Sequence, residues 1–226
     1  MGLISKIRNT FKKDVVMTDI PDCIKPNGKT HLKVMTIADS HGHLEQGTVK
    51  SVLSGALPDA VFFLGDNFPC DIEMALEELP LSVTQIYGLT GNHDAKDSLV
   101  PYSERITEID KVTGTVLSNG CRLEGLSGSI RYKEGDYYSM LTNEESERIM
   151  AEKPQCDILI THDKPCFYVP KTVDAHSGLL GIGKYILEKK PQIVLHGHLH
   201  EPYIKQLGDT IIRCCYGVEM FDITLQ

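Results

Sequence analysis

Leu32-Lys33-Val34-Met35-Thr36-Ile37-Ala38-Asp39-Ser40-His41 is an apolar run of strand length that stops on an acid and a histidine. The same event recurs downstream. Residues 61–64 end at Gly65-Asp66, and residues 83–89 run to Gly91-Asn92-His93-Asp94. Residues 158–161 stop at His162-Asp163, and residues 193–196 enter Gly197-His198-Leu199-His200. Short apolar runs bounded by turn residues are strand candidates. Helical patterns lie between them. Val49, Val52, Leu53 and Leu57 stop near Pro58, and Ile72, Leu76 and Leu79 are closed by Pro80. Thr142 with Glu145 forms a capping box for a helix to about Lys153. Residues 179–187 form another helix, with Lys189 and Lys190 in its last turn and Pro191 as its stop. Residues 106–132 read as shorter strands with Gly-containing turns, and two late strands follow at 210–214 and 218–224. In open α/β sheets ligands bind beyond the carboxyl ends of the strands. Five strands are therefore expected to bring Asp, Asn and His side chains to one rim. Glycine at positions 65, 91 and 197 is read as letting the backbone turn tightly there.

The 226 residues carry 23 Lys+Arg against 31 Asp+Glu, a formal net charge of −8, which weighs against broad attraction to nucleic acid. Hydrophobic residues at 41% and charged residues at 24% exclude intrinsic disorder, collagen-like and coiled-coil architectures. No apolar run approaches the roughly 18 residues of a membrane span, and no signal-peptide core is found near the start. The seven cysteines are odd in number and form no C-x-x-C. They read as small buried hydrophobes in a reducing compartment, and the expected location is cytoplasmic. Two segments are expected: an extension and linker over residues 1–30, and one domain over residues 31–226. In the extension Ile4, Ile7 and Phe11 share a face, with Lys6, Arg8, Lys12 and Lys13 around them. This short basic amphipathic pattern reads as a helix docked on its own domain or a frayed tail. The alternative is a weak contact of residues 1–13 with a membrane surface or a partner. Lys6 breaks the N-myristoylation pattern, and Pro21, Pro26 and Gly28 read as linker.

A lone acid after a strand is usually a turn former, and a lone histidine is usually a satisfied core or surface residue. Jointly, D-x-H, G-D, G-N-H-D, H and G-H-x-H in this order resemble the calcineurin-like metallophosphoesterase superfamily over roughly residues 33–225. The resemblance implies an α/β fold, a four-layer αββα sandwich of two mixed β-sheets flanked by helices. Periodicity alone does not separate this from a doubly wound sheet. The resemblance also implies two divalent metals. Asp39, His41 and His200 would hold the first, Asn92, His162 and His198 the second, and Asp66 would bridge both with its two oxygens. A ligand set of nitrogen and oxygen suits Mn, Fe, Zn, Co or Ni. Such a pair binds a bridging hydroxide, lowers its pKa and grips phosphoryl oxygens, so the implied reaction is in-line attack on phosphorus. The family's role for His93 is to contact the phosphate and protonate the departing oxygen, with Asp94 orienting it. His176, in the loop before residue 179, and Arg131 are the candidate substrate contacts; a hairpin role competes for Arg131. His196 suits packing or a hydrogen bond behind the ligands as well as catalysis, and His43 reads as solvent-facing.

Protein phosphatases of the superfamily carry G-D-x-x-D-R-G and G-N-H-E. Here Gly65-Asp66-Asn67-Phe68-Pro69-Cys70-Asp71 lacks the Arg and the later motif ends in Asp94, which disfavours a phosphoprotein substrate. The expected activity is hydrolysis of a phosphodiester or a small phosphorylated metabolite. The alternatives are a small-molecule phosphomonoesterase and a non-catalytic metal-binding scaffold. Asp39 and Asp66 contribute −2 and two divalent ions +4, so the filled pocket carries −2 + 4 = +2 inside a chain of net −8. That balance favours small anions over long nucleic acid.

Overall fold

Strands buried on both faces read as continuous apolar runs, and the structure, a computed structural model, shows why this chain has them. It describes residues 18–19, 30–135 and 138–225. Residues 1–13 and the Pro21, Pro26 and Gly28 linker lie outside the described residues. The elements run β1 (Thr18–Asp19), β2 (Thr30–Ala38), α1 (Thr48–Leu53), β3 (Ala60–Phe63), α2 (Pro69–Glu78), β4 (Ile86–Gly88), β5 (Thr107–Glu108), β6 (Thr115–Val116) and β7 (Arg122–Leu126). There follow β8 (Ser129–Ile130), β9 (Met140–Leu141), α3 (Asn143–Glu152), β10 (Ile158–Thr161), α4 (Leu180–Lys189), β11 (Ile193–His196), β12 (Tyr203–Leu207), β13 (Thr210–Cys214) and β14 (Gly217–Leu225).

Two mixed sheets form, in the orders β1-β12-β13-β11-β10-β7-β6 and β14-β2-β3-β4-β5, and β8 pairs separately with β9. The strands that precede the candidate residues are parallel within each sheet: β2, β3 and β4 in one, β10 and β11 in the other. Their carboxyl ends therefore share an edge. Side-chain alternation fixes the layers. Val34, Phe62, Ile158, Ile160 and Leu195 meet in the core between the sheets. Met35, Ile37, Val61 and Phe63 face the other way, onto Val49 and Leu53 of α1 and Ile72 and Ala75 of α2. Leu159 and Val194 face Met150 of α3 and Ile182, Tyr185 and Ile186 of α4. The result is the αββα sandwich.

Local chemistry explains most boundaries. Thr142 and Glu145 exchange both capping-box bonds at the start of α3. α1 stops at Leu53, short of the expected Leu57, because Ser54 and Gly55 are left-handed, with φ of 42° and 84°. β12 is absent from the sequence expectation. It is a half-buried strand near the sheet edge, paired with β13 across Gly208-Asp209, so its apolar signal is weak. Thr18 and Asp19 pair with Gln206 and Lys205 of β12, so part of the segment read as an extension adds a strand to the sheet.

Candidate metal centre

The rim is built from strained backbone. Asp39, His41, Asp66, His198 and His200 all have positive φ, between 47° and 72°. These five are among eight described non-glycine residues in that region, so the strain gathers at one place. Each costs about 1–3 kcal/mol and persists where neighbours over-determine it. Here the neighbours are hydrogen bonds between loops. Asp39 N–H donates to Gly65 O at 3.1 Å, His41 N–H to Asp66 O at 3.0 Å, and His198 N–H to Asp39 Oδ2 at 2.8 Å. Asn67 accepts from Ser40 Oγ at 2.7 Å and donates to the Ile37 and Gly65 carbonyls. Asp71 accepts the Gly42, Leu44 and Phe68 amides. Asn67 and Asp71 thus hold the first two loops together. Both stand in the stretch that follows Asp66, where an Asx residue near a strand end signals such a clamp.

The three glycines act in two different ways. Gly65 has φ of 92° and fits the tight-turn reading. Gly91 and Gly197 lack positive φ, which corrects the reason inferred for them. They leave space instead: a Cβ on Gly91 would run into Asp66 Oδ1, and one on Gly197 would lie 2.6 Å from Asp39 Oδ2.

Two clusters result, each with ligand-capable atoms within 4.8 Å of one another: Asp39, His41 and His200, and Asp66, His162 and His198. In the first, His41 Nε2 and His200 Nε2 face each other at 3.2 Å, and His200 Nε2 lies 3.8 Å from Asp39 Oδ1. In the second, His162 Nε2 lies 3.5 Å from Asp66 Oδ2 and 3.0 Å from Asn92 Oδ1. Asp66 Oδ2 is also 3.7 Å from His41 Nε2, so this one oxygen stands between the clusters.

The tautomers point the same way. A carbonyl only accepts, so His162 Nδ1 donates to Leu64 O at 2.8 Å and its Nε2 faces the two oxygens. By the same rule His198 Nε2 donates to Ala175 O at 2.6 Å, which leaves its Nδ1 pair for a cation in the neutral ring. Asp39 Oδ1 is buried and has no hydrogen-bond partner. An orphaned carboxylate oxygen and converging ring nitrogens, with no thiolate, fit divalent cations.

Burial and charge oppose each other across the site. Burial pushes the Asp39 carboxyl up to about 6. Burial also works against ionisation of Asp66, but the His162 charge and hydrogen bond and the His93 N–H hold it well below the usual carboxylate range. Burial alone would depress His162, yet Asp66 beside it raises the imidazole to about 9. His198 is pushed down to about 4 by burial and by His162. His41 and His200 are lowered as well, chiefly by desolvation.

The remaining candidates separate cleanly. The exposed His93 ring lies 5.2 Å from that of His41, and the backbone N–H of His93 donates to Asp66 Oδ1 at 2.8 Å. Asp94 Oδ2 accepts the Asp66 and Gly91 amides, both at 2.7 Å. Its carboxylate thus braces the loop under Asp66 instead of orienting the His93 ring. The His176 ring is 5.2 Å from that of His198, at the rim. Arg131 is held elsewhere: Nη2 donates to Met140 O at 2.9 Å and lies 3.6 Å from Glu145 of the α3 cap. The structure does not bring it to the two clusters, and the hairpin reading is corrected as well, because β8 and β9 pair in parallel, Ser129 with Met140 and Ile130 with Leu141. His196 is a buried core residue, its Nδ1 donating to Gly197 O and its Nε2 accepting from Tyr203 Oη at 2.7 Å; burial pushes it down to about 3. His43 is exposed. Asp163 is fully buried and accepts the Ile130 amide, which ties β8 to the end of β10.

The comparisons with known proteins agree with this architecture. None of the curated proteins matches the chain. Among solved structures, phosphopantetheinyl hydrolase from Mycobacterium tuberculosis shares the fold at 11% identity and a TM-score of 0.57, over 84% of this chain and 95% of that one. A dimetal phosphatase from Danio rerio aligns at 12% identity and a TM-score of 0.49, over 86% of this chain and 99% of that one. A family model, the calcineurin-like phosphoesterase superfamily domain, matches residues 32–214. With that match spanning both sheets and all the strand ends of the centre, the chain belongs to the calcineurin-like phosphoesterase superfamily.

Proposed function

We propose that this phosphoesterase is a dinuclear metal-dependent hydrolase that prefers a phosphodiester or a small phosphorylated metabolite. The observation that carries the reading is Asp66 Oδ2, 3.7 Å from His41 Nε2 and 3.5 Å from His162 Nε2, a position from which it could be shared by the two sets of ligand atoms. Asp39, His41 and His200 would hold one cation, and Asn92, His162 and His198 the other. Bound there, two divalent cations polarise the phosphoryl oxygens and lower the pKa of an attacking water. The chain's own residues do the rest. His93 contacts the phosphoryl group and gives its proton to the departing oxygen as the P–O bond breaks and the water oxygen bonds to phosphorus. Asp94 keeps Asp66 aimed through the Asp66 and Gly91 amides. His176 closes the rim beside His198. The preference for small substrates follows from a local positive pocket in a chain of net −8. The six described cysteines are free thiols, which supports a reducing, cytoplasmic setting. No helix among the described residues is long and apolar enough to cross a membrane.

The test compares bis(4-nitrophenyl) phosphate with 4-nitrophenyl phosphate, with Mn, Fe, Zn, Co and Ni supplied in turn. Turnover of the diester with two metal equivalents per chain is expected. Cleavage of the monoester alone overturns the diester preference, and absence of bound metal after Mn²⁺ supplementation overturns the dinuclear reading.

A further inference from the structure

The carbonyls that hold the far nitrogens of His162 and His198 have very different support. Leu64 directly follows β3, and its own N–H donates to Ile37 O at 2.9 Å, so its carbonyl is fixed by the sheet. Ala175, whose carbonyl accepts from His198 Nε2 at 2.6 Å, stands in the loop between β10 and α4. That loop is open on its approach: Tyr168, Val169 and Val173 are 65%, 50% and 42% exposed. Residues 169–173 make no backbone–backbone hydrogen bond among the described residues. The preceding stretch therefore does not aim the Ala175 carbonyl.

The four residues around it do. Asp174 Oδ1 accepts the His176 N–H at 2.9 Å and the Ser177 hydroxyl at 3.0 Å, and Ser177 Oγ accepts the Asp174 N–H at 2.9 Å. The Ser177 N–H donates to Asp174 O at 3.2 Å, which closes a turn with Ala175 and His176 at its centre. Behind the turn the chain is pinned. Leu179 N–H donates to Lys164 O and Cys166 N–H to Leu179 O, both at 3.1 Å. Gly178, at φ of 78°, passes so close that a Cβ there would lie 2.8 Å from Lys164 O. The deciding geometry lies in one peptide unit. The Ala175 carbonyl and the His176 N–H belong to the same planar trans amide and point in opposite directions. A carboxylate that grips the N–H from one side thus aims the C=O at His198 on the other.

We propose that Asp174 is a positioning residue for His198: through the His176 amide it turns the Ala175 carbonyl onto His198 Nε2, keeps the proton there and leaves Nδ1 for the inner cation. The inference rests on the dinuclear reading for that cation and adds the residue that sets the state of its ligand. The carboxylate also polarises the amide it grips, which strengthens the bond to the imidazole.

The test reads the imidazole before any metal is added. Long-range proton–nitrogen NMR spectra of the metal-free full chain at neutral pH tell Nε2–H rings from Nδ1–H rings, with His198 assigned by its loss in His198→Gln. A single Nε2–H tautomer is expected in the unmodified chain and in Asp174→Asn, whose amide oxygen still accepts the His176 N–H. A mixture of the two tautomers is expected in Asp174→Ala. Mn²⁺ is then titrated calorimetrically into each chain. Asp174→Ala is expected to weaken the tighter of two equivalents about 10–100-fold and leave the other level, and Asp174→Asn to recover most of the loss. An unchanged His198 tautomer in Asp174→Ala overturns the inference. So does an equal weakening of both equivalents, which would mean that the turn only supports the fold, and so does a tautomer mixture that costs no metal affinity. Absence of rescue by Asn overturns it as well, because the Asp174 charge would then act and not its bond to the amide. The two expected results together with no hydrolysis of either nitrophenyl ester overturn the proposed activity and leave the positioning role standing.

Discussion

The two halves of the centre are built differently although both use one carboxylate and two histidines. Asp66, His162 and His198 are buried, and each imidazole has its far nitrogen tied to a backbone carbonyl, of Leu64 or Ala175. Asp39 is buried too, but His41 is half-buried and His200 exposed, and their partners are other rings. Fixed tautomers and burial pre-organise the first set, whereas in the second the more open His41 and His200 imidazoles have no backbone carbonyl among the described residues tying the far nitrogen. The inner cluster is expected to hold its cation tightly and the outer one to exchange it.

The largest effect is expected where the halves join. Asp66→Ala should remove both metals, from two equivalents per chain to near zero by elemental analysis, with hydrolysis down by about 10³–10⁴-fold. Retention of one full equivalent would show that the halves do not share this carboxylate. His93→Ala should lower kcat by about 10²–10⁴-fold while both equivalents stay bound. Unchanged turnover at full occupancy removes His93 from the reaction.

The halves themselves are distinguished by chelation. In a stopped-flow chelator assay, one equivalent should leave at least about tenfold faster than the other, and His200→Ala should delete only the fast phase. A single phase in the unmodified chain breaks the comparison. The smallest change concerns the brace beneath Asp66. Asp94→Ala should weaken the metals about 10–100-fold, and Asp94→Asn, which still accepts the two amides, should restore most of that loss. No rescue by Asn would mean that the Asp94 charge matters and not its hydrogen bonds.

How far the sequence could be read depended on whether a residue's role was local. That Asp39, Asp66, Asn92, His162 and His198 stand at or just beyond strand ends was legible because each follows a short apolar run bounded by turn residues, while their expected roles as ligands came from the family resemblance. The Thr142–Glu145 cap was legible because its bonds close within four residues. Asp94 was read as orienting His93, its neighbour in sequence, while its Oδ2 accepts amides 28 and 3 residues away, which no adjacency suggests. Arg131 was drawn off by the carbonyl of Met140 on β9, a neighbour that exists only once the β8–β9 pair forms.

The sequence by itself determined which strands end on metal-capable side chains, because strand length and turn chemistry are local. Tertiary structure alone decided that these ends converge from two sheets and divide into a buried and an open cluster. It also set the tautomers of His162 and His198, through the carbonyls of Leu64 and Ala175, respectively 98 and 23 residues away. The Leu64 partner, after β3, is set by how the two sheets pack, and the Ala175 partner by how the loop after β10 folds over the end of β11, and no local pattern encodes either.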